Sequence, residues 1–238
     1  GLAFIRSLID KRVDGILIMS SNPSDLWLEE IRDNNVPVVV LDWEVKAPES
    51  GVGAISVDYA SGIREAADHL VALGHRIFAH VSGPLQLQTS RDRRDAFLNA
   101  LGENDIPSGR IPVIEGNLQI DGGKSTIEQI MKLSPRPTAV FAANDLTAMG
   151  LIAGARAHGL SVPEDLSVVG LDDIWLAGQV DPPLTTVALP RYEIGQLAMQ
   201  MLFDLLRAGG GASSGPVHRQ VKSSLVIRES TAPVEQID

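Results

Sequence analysis

The side chains best placed for chemistry in this 238-residue chain stand directly behind short apolar runs. Asp42 follows Val38–Leu41, Asn144 and Asp145 follow the run 140–143, and Asp172 and Asp173 follow 168–171. Each carboxylate can accept from two vicinal hydroxyls, and an asparagine both donates and accepts, so the set suits a polyhydroxylated ligand. Arg91, Arg93 and Arg94 open a further helical stretch after the loop 82–90. One of the three is expected to turn inward and the others to lie on a solvated face. Asp145, first in its helix, reads as a helix cap rather than a ligand contact.

Other chemistries find little support in the spacing. His69, His75, His80, His158 and His218 lack metal-site intervals, and His75 and His158 stand at helix ends whose dipole favours a cation. No Gly-x-Gly-x-x-Gly follows an apolar run, no Gly-rich loop ends in Lys-Ser or Lys-Thr, and no Gly-x-Ser-x-Gly elbow occurs. The glycines at 209–211 precede no helix and read as a flexible link. The residues predict neither an enzyme, a metal site nor a cofactor.

Polar strand ends gain meaning only from the elements that carry them. Runs rich in Val and Ile at 16–19, 36–41, 52–57, 77–81, 112–115, 138–142 and 166–171 alternate with stretches of helical period at 2–11, 24–33, 58–73, 89–101, 122–133, 145–158 and 191–207. That alternation predicts an α/β protein built on parallel sheets, whose ligands sit outside the carboxyl ends of the strands. Residues 182–187 read as an extended crossing segment because of their two prolines, and 220–227 as one final strand.

Composition sets the outer limits. With 30 acidic and 20 basic residues the net charge is −10 and the sequence pI about 4.9, a poor match to a phosphate backbone, which rewards clustered Lys and Arg. There is no cysteine, so no disulfide scaffold or thiolate metal site, and no apolar run reaches the roughly 18 residues a membrane span needs. The opening residues, without methionine, read as the middle of a longer chain.

Seven stretches then carry a resemblance: "RVDGILIM" at 12–19, "HLVALGHRIFAHVSGP" at 69–84, "PTAVFAANDLTAMG" at 137–150, "GLSVPEDLSVVGLDD" at 159–173, "PPLTTV" at 182–187, "IGQLAMQMLFDLL" at 194–206 and "LVIREST" at 225–231. In order and spacing they resemble the effector-binding core of the lactose-repressor/galactose-repressor family of bacterial transcription regulators. The resemblance implies a two-lobed, periplasmic-binding-protein-like type I fold with a sugar-like effector in the cleft. Residues 1–57 with 188–208 would form one lobe, 58–187 with 216–230 the other, and 209–215 the link. It also implies that the first strands of the N-terminal lobe are absent.

The resemblance assigns roles by position. Asp42 and Trp43 stand where the family has Asp-Arg, and Thr89 and Arg93 match its Ser/Thr-x-x-x-Arg. Asn144 and Asp172 match residues that meet ligand hydroxyls, Leu118 replaces an aromatic wall, and Leu189 stands where sugar binders have Gln. It further implies a cytoplasmic homodimer, with contacts around Met149, Ile152 and 178–181. Operator DNA would be bound only through an N-terminal helix-turn-helix missing from these residues, with effector and operator affinities linked. A stand-alone sugar-binding protein of a transport system is the alternative, and an enzyme on a doubly wound sheet lacks a nucleophile and base at motif spacing.

Overall fold

The computed structural model describes residues 1–20, 24–42, 51–209 and 217–234. The chain divides into two compact units, the first made of 1–58 and 190–221, the second of 59–189 and 222–238.

In the first unit, helices α1 (Leu2–Asp10), α2 (Asp25–Asp33) and α7 (Arg191–Arg207) flank a sheet of β1 (Ile16–Met19), β2 (Val38–Leu41), β3 (Val52–Asp58) and β9 (Val217–Lys222), in the order β1-β2-β3-β9. β1, β2 and β3 run parallel, with Ile16 opposite Val38 and Val38 opposite Val52. Alternation of β2 between two buried faces explains why every residue of it is apolar. Val38 and Val40 join Ile5, Ile16, Ile18 and Ile31 on one face, while Val39 joins Ile55, Met201, Leu202 and Leu205 on the other.

The second unit carries a six-stranded sheet in the order β10-β8-β7-β6-β4-β5. Its strands are β4 (Phe78–Ser82), β5 (Val113–Glu115), β6 (Ala139–Ala142), β7 (Ser167–Asp172), β8 (Thr185–Ala188) and β10 (Ser224–Val226), of which β10 alone pairs antiparallel. Helices α3 (Tyr59–Ala72), α4 (Gln88–Glu103), α5 (Ile120–Met131) and α6 (Asp145–Ala157) cover it. Val81, Val140, Ala142 and Val168 pack with Ile127, Ile130, Leu151 and Ile152. Elsewhere in the unit the core is aromatic, Phe97 stacking on Phe141 at 4.7 Å between centroids and His80 on Phe141 at 5.5 Å. α5 and α6 meet backbone to backbone: a Cβ on Gly150 would overlap the Ile120 carbonyl, and one on Gly123 the Thr147 carbonyl.

Two expectations are corrected here. The single strand expected over 220–227 is two strands: it breaks at Ser223, whose buried hydroxyl accepts from the Gly62 N–H at 3.1 Å and donates to the Tyr59 carbonyl at 3.3 Å. β9 therefore completes the first sheet and β10 the second, so residues 217–221 belong with the first unit and the last passage between units falls at 221–222. Most of the glycine link expected at 209–215 lies outside the described residues. Residues 185–188 in turn form an inner strand, its Thr185 and Thr186 fully buried; the two prolines precede the ladder and cost it no hydrogen bond.

Candidate functional site

Six of the eight expected site residues lie in the second unit, on segments around the carboxyl ends of its parallel strands. Thr89 and Arg93 come from α4, which follows β4, and stand one turn apart on a shared helix face. Leu118 is in the loop after β5, Asn144 follows β6, Asp172 ends β7, and Leu189 follows β8, whose Ala188 is in register with Asp172. Asp42 occupies the equivalent place after β2 in the first unit, where its N–H bonds the Ile55 carbonyl at 2.8 Å. Trp43 lies outside the described residues.

Of the three arginines, Arg93 alone turns inward. Nη1 donates to the Ala143 carbonyl at 2.9 Å and Nη2 to the Tyr59 hydroxyl at 3.1 Å, with the guanidinium carbon 4.6 Å above the Tyr59 ring centre. Nη2 also lies 3.6 Å from an Asp172 oxygen, and the Arg93 side chain keeps only 13% of its surface exposed. Arg91 instead bonds the Leu85 carbonyl and Gln88, and Arg94 pairs with its neighbour Asp95. Tyr59 was missing from the sequence reading although it directly follows a strand end. The face it turns to Arg93 has no signature in one dimension.

Asn144, rather than Asp145, caps α6. Its Oδ1 accepts from the Thr147 N–H at 2.9 Å and its Nδ2 donates to the Leu118 carbonyl at 3.0 Å. Leu118 needs that tether, since its φ of +64° is a left-handed conformation that bulky residues avoid. Among the described non-glycine residues seven have left-handed backbone, and four of them are Asp42, Leu118, Asp172 and Asp173. Strain of this kind gathers where a side chain has to be aimed. Asp173 is held by Arg228, whose Nη2 reaches its carboxylate at 2.6 Å while Nη1 donates to the Leu184 carbonyl at 2.7 Å.

Asp145 is fully buried beside this turn. Its carboxyl is raised to about 7 by burial first, and further by the charges of Asp172 and Asp173, against hydrogen bonds from Thr186 and the Ile174 N–H that lower it. The expectation of a cation at His75 is also corrected. Burial holds His75 down to about 4, outweighing the helix dipole, while its ring nitrogens bond Thr138 and the Ala232 carbonyl. His80, wholly buried in the aromatic core, is lowered to about 4 by the same cause.

Features away from the strand ends point elsewhere. Met149 and Ile152, expected at a subunit contact, are 8% and 6% exposed and pack into the core of their own unit. A cavity of about 540 Å³, lined among others by Ile152, Arg156, Val162 and Asp181, shares no residue with the strand-end cluster. Among the described residues no group of three or more His, Asp or Glu could hold a metal ion, and no helix is long and apolar enough to cross a membrane.

Residues 67–231 match the periplasmic binding protein-like domain family. The HTH-type transcriptional repressor CytR of Escherichia coli (strain K12) is 35% identical over 229 residues, which are 96% of this chain and 65% of that protein. The HTH-type transcriptional repressor PurR of Yersinia pestis (strain Pestoides F) is 35% identical over 231 residues, 97% of this chain and 67% of that protein. The chain thus spans about two thirds of the length of such repressors. A crystal structure of a LacI family transcriptional regulator from Enterococcus faecium with bound ribose superposes with a TM-score of 0.89 at 28% identity, covering 98% of this chain and 85% of the other.

Proposed function

Because the chain belongs to the lactose-repressor/galactose-repressor family of transcription regulators, we propose that it is the effector-sensing core of such a repressor. The observation that carries this reading is the convergence of Arg93, Asn144 and Asp172 at the carboxyl end of one parallel sheet, two of them tied into backbone that is held left-handed. Such a set offers a cation, a carboxylate and an amide from rigid elements, the donors and acceptors a compact polyol requires. Thr89 adds a hydroxyl, and Leu118 and Leu189 apolar surface.

The matched relatives are repressors, which favours a regulator over a transport binding protein. On this reading the regulator works in the cytoplasm as a homodimer. Operator DNA is bound by a helix-turn-helix module of the kind named in those relatives, and the effector shifts operator affinity by the factor by which operator shifts effector affinity. No catalytic step is assigned to the chain.

Isothermal titration with D-ribose, cellobiose, purine bases and nucleosides, repeated on Arg93→Ala, tests the proposal. A saturable heat with one of them, lost or weakened more than about tenfold in the variant, is the expected outcome, since a charged donor to a ligand contributes more than one neutral hydrogen bond. Binding indifferent to that substitution would remove Arg93 from the site.

A further inference from the structure

Asp145 has no exposed surface, yet it ties together three neighbouring strands of the second sheet, β6, β7 and β8. It follows β6; its Oδ2 accepts from the N–H of Ile174, two residues beyond β7, at 2.8 Å; and its Oδ1 accepts from the hydroxyl of Thr186 in β8. β7 makes room with a glycine, because a Cβ on Gly170 would overlap Oδ1.

What this carboxyl holds is the turn that carries Asp172. Asp172 and Asp173 have φ of +117° and +52°, two consecutive left-handed residues, strained conformations that persist only where the surroundings fix them. On the strand side Asp172 is fixed by its register with Ala188. On the far side the fixing contacts are Arg228 on the Asp173 carboxylate and Asp145 on the Ile174 N–H.

We propose that Asp145 is a positioning residue of the strand-end site: through Ile174 it holds the Asp172–Asp173 turn in place, and so sets effector affinity without touching the effector. The affinity part rests on the function proposed above. The chemistry singles out which replacements work. Ile174 N–H can only donate, whereas the Thr186 hydroxyl donates or accepts. An asparagine at 145 can accept from Ile174 with its carbonyl and donate to Thr186 with its amide, so Asp145→Asn retains both ties. Asp145→Ala retains neither.

Backbone amide exchange on the whole chain and both variants tests this. In Asp145→Ala the Ile174 amide should exchange at least about tenfold faster, with Leu151 and Val169 unchanged, while Asp145→Asn stays within about threefold of the parent. Unchanged exchange at Ile174, or an equal acceleration across the unit, would overturn the proposal, as would a loss in Asp145→Asn equal to that in Asp145→Ala. Should Asp145→Ala not fold, NMR titration of the parent decides: the Asp145 carboxyl carbon and the Ile174 amide proton should move with one midpoint, and an Ile174 amide indifferent to that titration would overturn it. D-ribose serves as the binding probe, with affinity expected to fall at least about tenfold in Asp145→Ala and to survive in Asp145→Asn. Affinity unchanged in Asp145→Ala despite faster exchange would overturn the affinity part. A parent chain that takes up neither D-ribose nor any other member of the titration panel would count against the effector reading, while the exchange pattern supports or overturns the hold on the turn irrespective of it.

Discussion

Asn144 spends its side chain in two directions, its oxygen capping α6 through Thr147 N–H at 2.9 Å and its nitrogen tethering the carbonyl of left-handed Leu118 at 3.0 Å. The two roles can be separated. Asp at this position still caps a helix but points a carboxylate at the Leu118 carbonyl, so Asn144→Asp should cost little at the helix and release the 118 loop. Asn144→Ala loses both and should destabilise the second unit by about 1–2 kcal/mol. Urea unfolding of the two variants, with amide exchange at Gln119, distinguishes them; equal stability losses would show that the tether, and not the cap, carries the stability.

Tyr59 sets where the Arg93 guanidinium rests, through its ring at 4.6 Å and its hydroxyl at 3.1 Å. Tyr59→Phe keeps the ring and should weaken binding of whichever sugar the parent takes by only a few-fold. Tyr59→Leu removes ring and hydroxyl together and should weaken it by about 10-fold or more, as expected for a partly desolvated cation–π contact with a charged hydrogen bond. Titration calorimetry on both variants gives the ratio, and equal effects would leave the ring without a role.

Three buried groups predict an asymmetric stability profile. Asp145, raised from 3.8 to about 7, stabilises the folded chain most below pH 3.8, and that contribution is lost as pH rises towards 7. His75 and His80, lowered from 6.5 to about 4, act the other way, their contribution full above 6.5 and lost as pH falls towards 4. Between about pH 4.5 and 6 these two histidines oppose one carboxyl, so the three together give a net loss of about 1.4 kcal/mol per pH unit of acidification, to which His69, also lowered by burial, adds. Asp145→Asn removes the opposing carboxyl and should steepen that limb by about 1.4 kcal/mol per unit. Urea midpoints collected across this range decide it, and equal slopes would refute the assignment of Asp145.

The contact of α5 with α6 leaves no room for a side chain at Gly150, since a Cβ there meets the Ile120 carbonyl and the Lys124 nitrogen rather than a movable side-chain tip. Gly150→Ala gains helix propensity of about 1 kcal/mol yet should still destabilise the unit by about 1–3 kcal/mol through overpacking. Gly102, near the end of α4 with open space around it, is the control, and Gly102→Ala should stabilise or be neutral. Thermal unfolding of the pair measures the difference.

The sequence by itself determined the order and type of the elements, because buried parallel strands must be short and apolar and the helices between them must keep a 3.6-residue stripe. It also determined which residues follow strand ends, Asp42, Asn144 and Asp172 among them, whereas Thr89, Arg93, Leu118 and Leu189 were singled out only by the resemblance to the repressor family. What only the tertiary structure decided is what each of them does locally. One residue of register separates Asn144, which caps and tethers, from Asp145, which is buried, and no pattern along the chain assigns those roles. The division of 220–227 into two strands of different sheets depends on a single buried serine hydroxyl that meets Gly62 and Tyr59 about 160 positions away. The hold of Asp145 on Ile174, like the seat of Arg93 on Tyr59, joins residues 29 and 34 positions apart. Hydrogen bonds and ring faces act over a few ångströms in space, so the contacts that aim a side chain are fixed only once the chain has brought its strand ends together.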